Sequence, residues 1–222
     1  DLDARDGLAS IRDLFELPDG MIFMDANSVG PMPKSVRQRA QVLLDDWVQL
    51  RRRGWSQRQW LEMPSLIGDA IAPLIGAAPG TVVMCDSTTL NQYKAVSHAL
   101  ALRAERPVIV TQNGNFPTDV HVLQGLAKAS GGRLTIRFVD SEDEAVAALN
   151  ESVAVAALSH VDYRSGERWD MARVTKAAHD HGAPHGQRPE VLEVGRQVPG
   201  QAVVDADHAI SGDGGDQGED GL

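Results

Sequence analysis

The sequence predicts an α/β fold in which helices cover a parallel sheet. Between residues 81 and 181, short runs of β-favouring residues alternate with stretches of helical period. Parallel strands require a crossover connection, and a helix supplies it, so the alternation indicates a partial parallel sheet. The sequence before this region has a helical period, and the sequence after residue 183 has no regular period.

The N-terminal helical segment is expected to span residues 1–76 and to contain two helices. Over residues 33–53, apolar side chains recur every three or four positions with Arg and Asp between them, which predicts an amphipathic helix. A second helix is predicted over residues 60–75, where Pro64 falls in the first turns and Pro73 makes the last turn irregular.

The α/β domain is expected to span residues 77–183. Its predicted strands are residues 81–85, 107–111, 133–139 and 152–158. The helices predicted to follow them are residues 88–103, 118–130, 141–149 and 170–181.

The tail, residues 184–222, has a different composition. It holds eight acidic residues and two arginines, a net charge of −6 out of the −10 of the whole chain. It is rich in Gly and Asp and offers little apolar surface to bury, so we expect it to be disordered.

Composition also limits the class of protein. The acidic balance argues against nucleic-acid binding, and no apolar run is long enough to cross a bilayer. The single Cys85 excludes a disulfide framework or a Cys-based zinc site, and no His spacing specifies a metal. With no signal-peptide pattern at the N-terminus, we expect a cytoplasmic protein.

Ligands of such sheets bind beyond the carboxyl ends of the strands, which directs attention to the loops there. Thr88 and Thr89 stand at a predicted helix N-terminus, where hydroxyls and unpaired N–H groups suit a phosphate. The alternative is that Ser87 or Thr88 simply caps the helix.

Two further loops carry candidate residues. In residues 115–119 (NFPTD), Phe116 has the shape to stack on a flat ligand. The alternative is that the loop is a turn that caps the following helix and that Phe116 packs in the protein core. Residues 159–166 (SHVDYRSG) place a hydroxyl, an imidazole, a carboxylate and a phenol in one loop. Their spacing defines no Ser-His-Asp triad.

Together these segments resemble kynureninase, a pyridoxal 5'-phosphate (PLP) enzyme of the aspartate-aminotransferase-like fold (fold type I). The resemblance covers roughly residues 1–183. The matching motifs are LFELPDG at residues 14–20, DANSVG at 25–30, Trp47 with the arginine run at 51–53, DSTTLN at 86–91, NFPTD at 115–119 and SHVDYRSG at 159–166. Ala26 and Val29 replace the usual Gly and Leu of the second motif.

The resemblance implies hydrolysis of L-kynurenine to anthranilate and L-alanine, in tryptophan catabolism and NAD biosynthesis, by a homodimer. It also implies cofactor contacts by residue. Thr88 and Thr89 would bind the phosphate and Phe116 would stack on the pyridine ring. The remaining implied contacts are Pro117, Thr118, Asp119 and Ser159.

The resemblance ends where the family places its Schiff-base lysine. The chain has four lysines, at positions 34, 94, 128 and 176, and none matches that position. We therefore expect a truncated chain that is inactive alone and has no catalytic residue of its own. The tail would be either an out-of-frame end or a genuine acidic extension.

Two other functions remain open at this point. The chain could be a non-catalytic protein that pairs with a full-length homologue, or another PLP enzyme of the same fold, such as one similar to cysteine desulfurases. The NFPTD loop favours kynureninase over the latter.

Overall fold

The computed structural model describes residues 5–26 and 28–180, and the backbone of two short strands beyond them. The described residues form two compact units, one ending at Asn91 and one beginning at Gln92. The helices are α1 (Lys34–Leu50), α2 (Gly54–Gln57), α3 (Met63–Ile71), α4 (Thr88–Leu102), α5 (Pro117–Ala129), α6 (Glu142–Ala148) and α7 (Met171–Asp180). The strands are β1 (Phe15–Glu16), β2 (Met32–Pro33), β3 (Val108–Gln112), β4 (Thr135–Val139), β5 (Val153–Leu158), β6 (Glu190–Glu193) and β7 (Val203–Val204).

In the first unit, a small antiparallel sheet precedes α1. Strand β1 pairs with β2, and α1 begins directly after β2. The guanidinium of Arg37 in α1 donates two hydrogen bonds to the carboxylate of Glu16, which joins the helix to β1. These bonds lower the pKa of Glu16 below its ordinary value.

Helix α1 confirms the predicted amphipathic helix, but none of its residues is buried. Its exposed apolar side chains are Val36, Val42, Leu43, Leu44, Trp47 and Val48. An exposed apolar face of this extent is typical of a surface that contacts another protein.

The strand predicted over residues 81–85 is wrong, because this segment pairs with no other strand among the described residues. A β-strand needs a neighbour for its backbone groups. Here the N–H of Met84 instead donates to the carbonyl oxygen of Pro64 at 3.0 Å, and the side chain of Val83 is 57% exposed.

Gly68 in α3 lets this segment approach the helix. A Cβ at Gly68 would overlap the carbonyl oxygen of Val82, which is backbone and cannot move aside alone. The helix prediction for residues 60–75 is confirmed over its central part, with a 3-10 turn at Ala72–Leu74 where Pro73 lies.

Replacing Gly68 with Ala should lower the free energy of unfolding by about 1–3 kcal/mol, because the overlap outweighs the better helix propensity of Ala. The matched control is Gly125→Ala in α5, where an added Cβ meets no atom within 4 Å. That change should stabilise by about 0.5–1 kcal/mol. Thermal or denaturant unfolding of both variants tests the pair, and two shifts of the same sign would contradict it.

The second unit is built on a five-stranded sheet in the order β4-β3-β5-β6-β7. Strands β4, β3, β5 and β6 run parallel, and β7 is antiparallel to β6. Every residue of β5 is buried, and its sequence VAVAAL is the continuous apolar run typical of a strand covered on both faces. The predicted parallel sheet is therefore confirmed.

Two apolar clusters lie against the sheet. One joins Ile109 and Val155 to Val96 of α4 and Leu123 of α5. The other joins Val110 and Leu158, with Ala145 of α6 and Val174 of α7 among its further members. Successive residues of β3 thus enter different clusters, so helices cover both faces of the sheet.

Two stretches of the tail that we expected to be disordered are strands, namely β6 and β7. Backbone pairing with β5 explains β6, since an edge strand offers unpaired N–H and C=O groups. The remainder of the predicted tail lies outside the described residues.

Within the part of the chain that the structure describes, no helix has the length and hydrophobicity of a membrane span.

Candidate functional site

The turn before α4 is fixed by the side chain of Asn91. Its Nδ2 donates to the carbonyl oxygen of Cys85 at 2.7 Å, and the Cys85 thiol lies 3.4 Å from its Oδ1. Asp86, between the two, has a φ of +45°, a left-handed conformation that Asp tolerates better than most residues. The bond from Asn91 to Cys85 therefore ties the first turns of α4 to the residue before the turn, and so helps to hold the segment that carries the hydroxyls of residues 87–89.

Ser87 caps α4, in agreement with the alternative in which Ser87 or Thr88 caps this helix. Its Oγ accepts a hydrogen bond from the N–H of Leu90 at 3.4 Å, and its carbonyl oxygen accepts from the N–H of Asn91 at 2.9 Å. Thr88 and Thr89 follow in the first turn, half-buried. Neither hydroxyl takes part in a hydrogen bond among the described residues. Two hydroxyls and the first N–H groups of a helix form a donor set that suits a phosphate.

A shallow groove of about 330 Å³ lies in the N-terminal segment. Ser28, Val29 and Gly30 of the DANSVG motif line it. The Ser28 hydroxyl is used within the turn, where it bonds to Asp25. Asn27 of the same motif lies outside the described residues.

In the second unit, the NFPTD loop ends at the start of α5. Phe116 is the N-cap residue, with the extended backbone (φ −60°, ψ 137°) that a residue before proline favours. Pro117 occupies the first helical position, where its missing N–H costs no hydrogen bond. The Phe116 side chain is half-buried and belongs to neither apolar cluster, so the alternative in which it packs in the core is not what the structure shows.

Asp119 lies in the first turn of α5 and is fully buried. A carboxylate near a helix N-terminus is favoured by the positive end of the helix dipole. The Thr118 hydroxyl lies 3.4 Å from its Oδ1, and the buried Gln92 of α4 donates to the Asp119 carbonyl oxygen, also at 3.4 Å. Burial of a carboxylate is costly, so Asp119 is a candidate for a binding role.

The ends of β3 and β5 are joined by a chain of side-chain hydrogen bonds. The Ser159 hydroxyl donates to Oδ1 of Asn115 at 2.8 Å, and the same oxygen accepts from the N–H of Phe116. Nδ2 of Asn115 donates to the Thr111 hydroxyl, which donates to the carbonyl oxygen of Ala157. In this arrangement the proton of Ser159 is already used, so its oxygen is available to a ligand as an acceptor.

Gln112, the last residue of β3, was not among the residues that the sequence singled out. Its Oε1 accepts from the N–H of Ser159 at 2.7 Å, and its Nε2 donates to the Ser159 carbonyl oxygen at 2.9 Å. Gln92 was missed as well. Gln112 bonds to a residue 47 positions away, and Gln92 to a residue 27 positions away. No local pattern in the sequence reveals such pairs.

The loops after β3, β4 and β5 line a cleft of about 510 Å³, as expected for the carboxyl edge of a parallel sheet. Its lining residues are Gln112, Gly114, Val139, Asp140, Asp162, Arg164, Ser165, Glu167 and Trp169. The predicted cofactor residues Phe116, Asp119 and Ser159 do not line it. Within the described part of the chain, no three His, Cys, Asp or Glu side chains are grouped to hold a metal ion.

Asp162 organises the loop after β5. Its Oδ1 accepts from the N–H groups of Arg164 and Ser165 and from the Ser165 hydroxyl. These bonds, with that of the Ser165 N–H the largest cause, lower the pKa of Asp162 below its ordinary value. The loop is thus held by an ionised carboxylate.

Asp162→Asn should therefore cost stability in a pH-dependent way. A carboxyl whose pKa is lower in the folded than in the unfolded chain stabilises fully above its ordinary pKa of about 3.9. That stabilisation is lost as the pH falls through the pKa of the folded state. We expect the melting temperature of the parent chain to exceed that of D162N at pH 7, and the gap to close as the pH falls below about 3.9. A gap that stays constant from pH 7 to pH 3 would contradict this.

Comparison with known proteins gives the relatives of this chain. It is 41% identical over 187 residues to the kynureninase of Pseudomonas fluorescens, covering 82% of this chain and 45% of that protein. It is 37% identical over 187 residues to the kynureninase of Burkholderia pseudomallei (strain 1106a), with the same coverage. The chain therefore spans about half the length of these relatives.

Solved structures share the fold at low sequence identity. A C-DES mutant with glycine covalently linked to its PLP cofactor superposes with a TM-score of 0.66 at 16% identity, covering 84% of this chain and 49% of that one. The apo cysteine desulfurase of Thermococcus onnurineus NA1 gives a TM-score of 0.59 at 22% identity, covering 78% and 45%. The family model of aminotransferase class-V matches residues 22–184. The chain belongs to the aminotransferase class-V family.

Proposed function

We propose that this chain carries the cofactor-binding part of a kynureninase-like enzyme, which hydrolyses L-kynurenine to anthranilate and L-alanine with PLP. The observation that carries the proposal is the 41% identity to a kynureninase over 187 residues. The likeness to a cysteine desulfurase is one of fold, at 22% identity. The sequence relationship therefore favours kynureninase over a desulfurase-like function.

The residues present fit PLP. Because Ser87 caps α4, the Thr88 and Thr89 hydroxyls are left to bind the phosphate together with the first N–H groups of the helix. Phe116 offers a half-buried ring to stack on the pyridine, and the buried Asp119 offers a carboxylate. Pro117, Thr118 and the Ser159 oxygen complete the proposed set. When bound, PLP supplies an electron sink that stabilises carbanions.

The positions of the four lysines bear on whether PLP would be attached covalently. The structure places Lys34 at the start of α1, Lys94 in α4 and Lys128 in α5, and Lys176 is paired with Asp180 in α7. None belongs to the proposed set of cofactor residues. We therefore propose that the 222-residue chain binds PLP without covalent attachment and does not turn over L-kynurenine by itself.

The test is to titrate the purified chain with PLP, with pyridoxal lacking the phosphate, and with inorganic phosphate. We expect saturable binding in which PLP binds most tightly. Borohydride treatment should fix PLP at no single lysine, and L-kynurenine should yield no anthranilate. PLP that binds no better than pyridoxal would contradict the proposed site. Release of anthranilate would show that the chain is active alone.

The exposed apolar face of α1 favours a second candidate, a non-catalytic protein that pairs with a full-length homologue. Trp47 is 65% exposed and Val48 71%, an arrangement that contact with another chain would stabilise. Size-exclusion chromatography with and without a full-length kynureninase would show a mixed complex. Replacing Trp47 and Val48 with Glu should abolish it, whereas Gln49→Glu, exposed in the same turn, should not. Absence of any complex would remove this candidate.

A further inference from the structure

The ring of Phe116 is in contact with the ring of Tyr163. The two centroids are 5.0 Å apart and the planes meet at 64°, an edge-to-face arrangement. Phe116 follows β3 and Tyr163 follows β5, so the contact joins two neighbouring loops at one edge of the sheet. The backbone of Phe116 is already fixed by Asn115 and by the helix that it caps. The backbone bonds leave the Phe116 ring free to rotate about its side-chain bonds, and the contact with Tyr163 restricts this rotation.

Tyr163 is itself held, although its side chain is 46% exposed. The Cζ of Arg164 lies over the Tyr163 ring, 5.5 Å from its centroid, as in a cation–π contact. Nη2 of Arg164 is 3.6 Å from Oδ2 of Asp162 and 3.5 Å from the carbonyl oxygen of Gly114. The guanidinium therefore has three neighbours, namely the Tyr163 ring, the Asp162 carboxylate and the Gly114 carbonyl.

Gly114 makes room for this guanidinium. A Cβ at position 114 would overlap Nη2 of Arg164, and it would also lie 3.5 Å from the Asp162 carboxylate. No other residue type fits here without moving Arg164. Asp162 does not move freely, because its Oδ1 holds three hydrogen bonds within its own loop.

We propose that Tyr163 is a positioning residue that fixes the plane of the Phe116 ring, and that Asp162, Arg164 and Gly114 hold Tyr163 in place. The isolated ion pair contributes little energy at this exposure, so its role is to orient Arg164 over the ring. The inference deepens the proposed function and rests on it for its ligand, since the ring so oriented is the one that would stack on the cofactor. It assigns no contact between Tyr163 and the cofactor.

The first readout needs no ligand. The chain has four phenylalanines, so ring-labelled Phe gives an NMR spectrum in which Phe116→Leu identifies the Phe116 signals. Tyr163→Leu should shift those signals and speed the flipping of the ring, because the neighbouring ring is removed. Tyr163→Phe keeps the ring and should leave both nearly unchanged. Phe116 signals that do not respond to Tyr163→Leu would overturn the inference, whether or not PLP binds.

The second readout separates positioning from general damage to the fold. Tyr163→Leu should weaken binding of PLP about fivefold, the order expected for one aromatic pair, and leave the affinity for inorganic phosphate unchanged. Tyr163→Phe should restore the parent affinity. Equal loss for both ligands would show a merely structural role and overturn the inference. A parent chain that binds no PLP would contradict the proposed function, while the NMR readout would still decide the role of Tyr163.

Gly114→Ala supplies an independent variant that leaves both rings in the chain. By displacing Arg164 it should shift the Phe116 signals in the same direction as Tyr163→Leu and weaken PLP binding by a smaller factor. If Gly114→Ala leaves the Phe116 signals unchanged, the part assigned to Arg164 is wrong.

Discussion

Replacing Gln112 with leucine should lower the free energy of unfolding by about 3 kcal/mol, a large effect for a side chain at the end of a strand. Gln112 is 7% exposed and exchanges two hydrogen bonds with the backbone of Ser159. Leucine has a similar size but can neither donate nor accept. Each buried backbone group left without a partner costs about 1–3 kcal/mol, and Ser159 is only half-buried, so water recovers part of the loss.

The matched control is Gln124→Leu, since Gln124 is exposed on α5 in the same unit. This change should alter stability by no more than about 0.5 kcal/mol. Urea unfolding followed by circular dichroism measures both variants. If Q112L costs no more than Q124L, the reciprocal bonds to Ser159 contribute nothing to stability, and the account of how β3 and β5 are joined is wrong.

Those bonds also illustrate where sequence reasoning ends. The helices α4 to α7 could be predicted closely because their signals are local: a Ser before α4, a Pro at the start of α5, and a Ser that caps α6 through the N–H of Glu144. Strand β5 could be predicted from its continuous apolar run. Gln112 and Ser159 are 47 positions apart, and no pattern of residues shows that one side chain bonds to the other.

The strand predicted over residues 81–85 fails for a related reason. Its β-favouring residues are a local signal, but a strand exists only where another backbone pairs with it. In the structure this segment packs against α3 at Gly68, and the N–H of Met84 donates a hydrogen bond to the carbonyl oxygen of Pro64. Propensity alone therefore could not decide the outcome.

Around the candidate site, the position of the loops could be predicted, whereas the orientation of the side chains could not. Parallel topology correctly placed the loops after β3, β4 and β5 around one cleft. It could not show that Ser87 rather than Thr88 caps α4 or that the ring of Phe116 contacts the ring of Tyr163. Nor could it show that the Ser159 hydroxyl donates a hydrogen bond to Asn115. Each depends on side-chain orientation, which the order of elements does not determine.

Replacing Thr88 and Thr89 together with Ala should weaken PLP binding about 100-fold, the largest effect that we expect on ligand affinity. A hydrogen bond to a charged group is worth about 1.5–3 kcal/mol, and two hydroxyls are removed while the helix N–H groups remain. Binding of inorganic phosphate should weaken as well, because the phosphate is the group these hydroxyls would hold. Folding should not suffer, since Ala has a higher helix propensity than Thr and the cap is provided by Ser87.

Ser87→Ala is the control that reverses this pattern. Removing the cap should cost about 1 kcal/mol of stability, with much less effect on affinity for PLP. Equilibrium dialysis and thermal unfolding of the same two variants give all four values. If the double Thr variant binds PLP as the parent chain does, the phosphate is not held at α4. If S87A loses affinity as strongly as the Thr variant, the conformation of the turn controls PLP binding. The loss in the Thr variant would then not show that the hydroxyls of Thr88 and Thr89 bind the phosphate. Only a loss of affinity without loss of stability in the Thr variant, and the opposite in S87A, assigns the phosphate to these two hydroxyls.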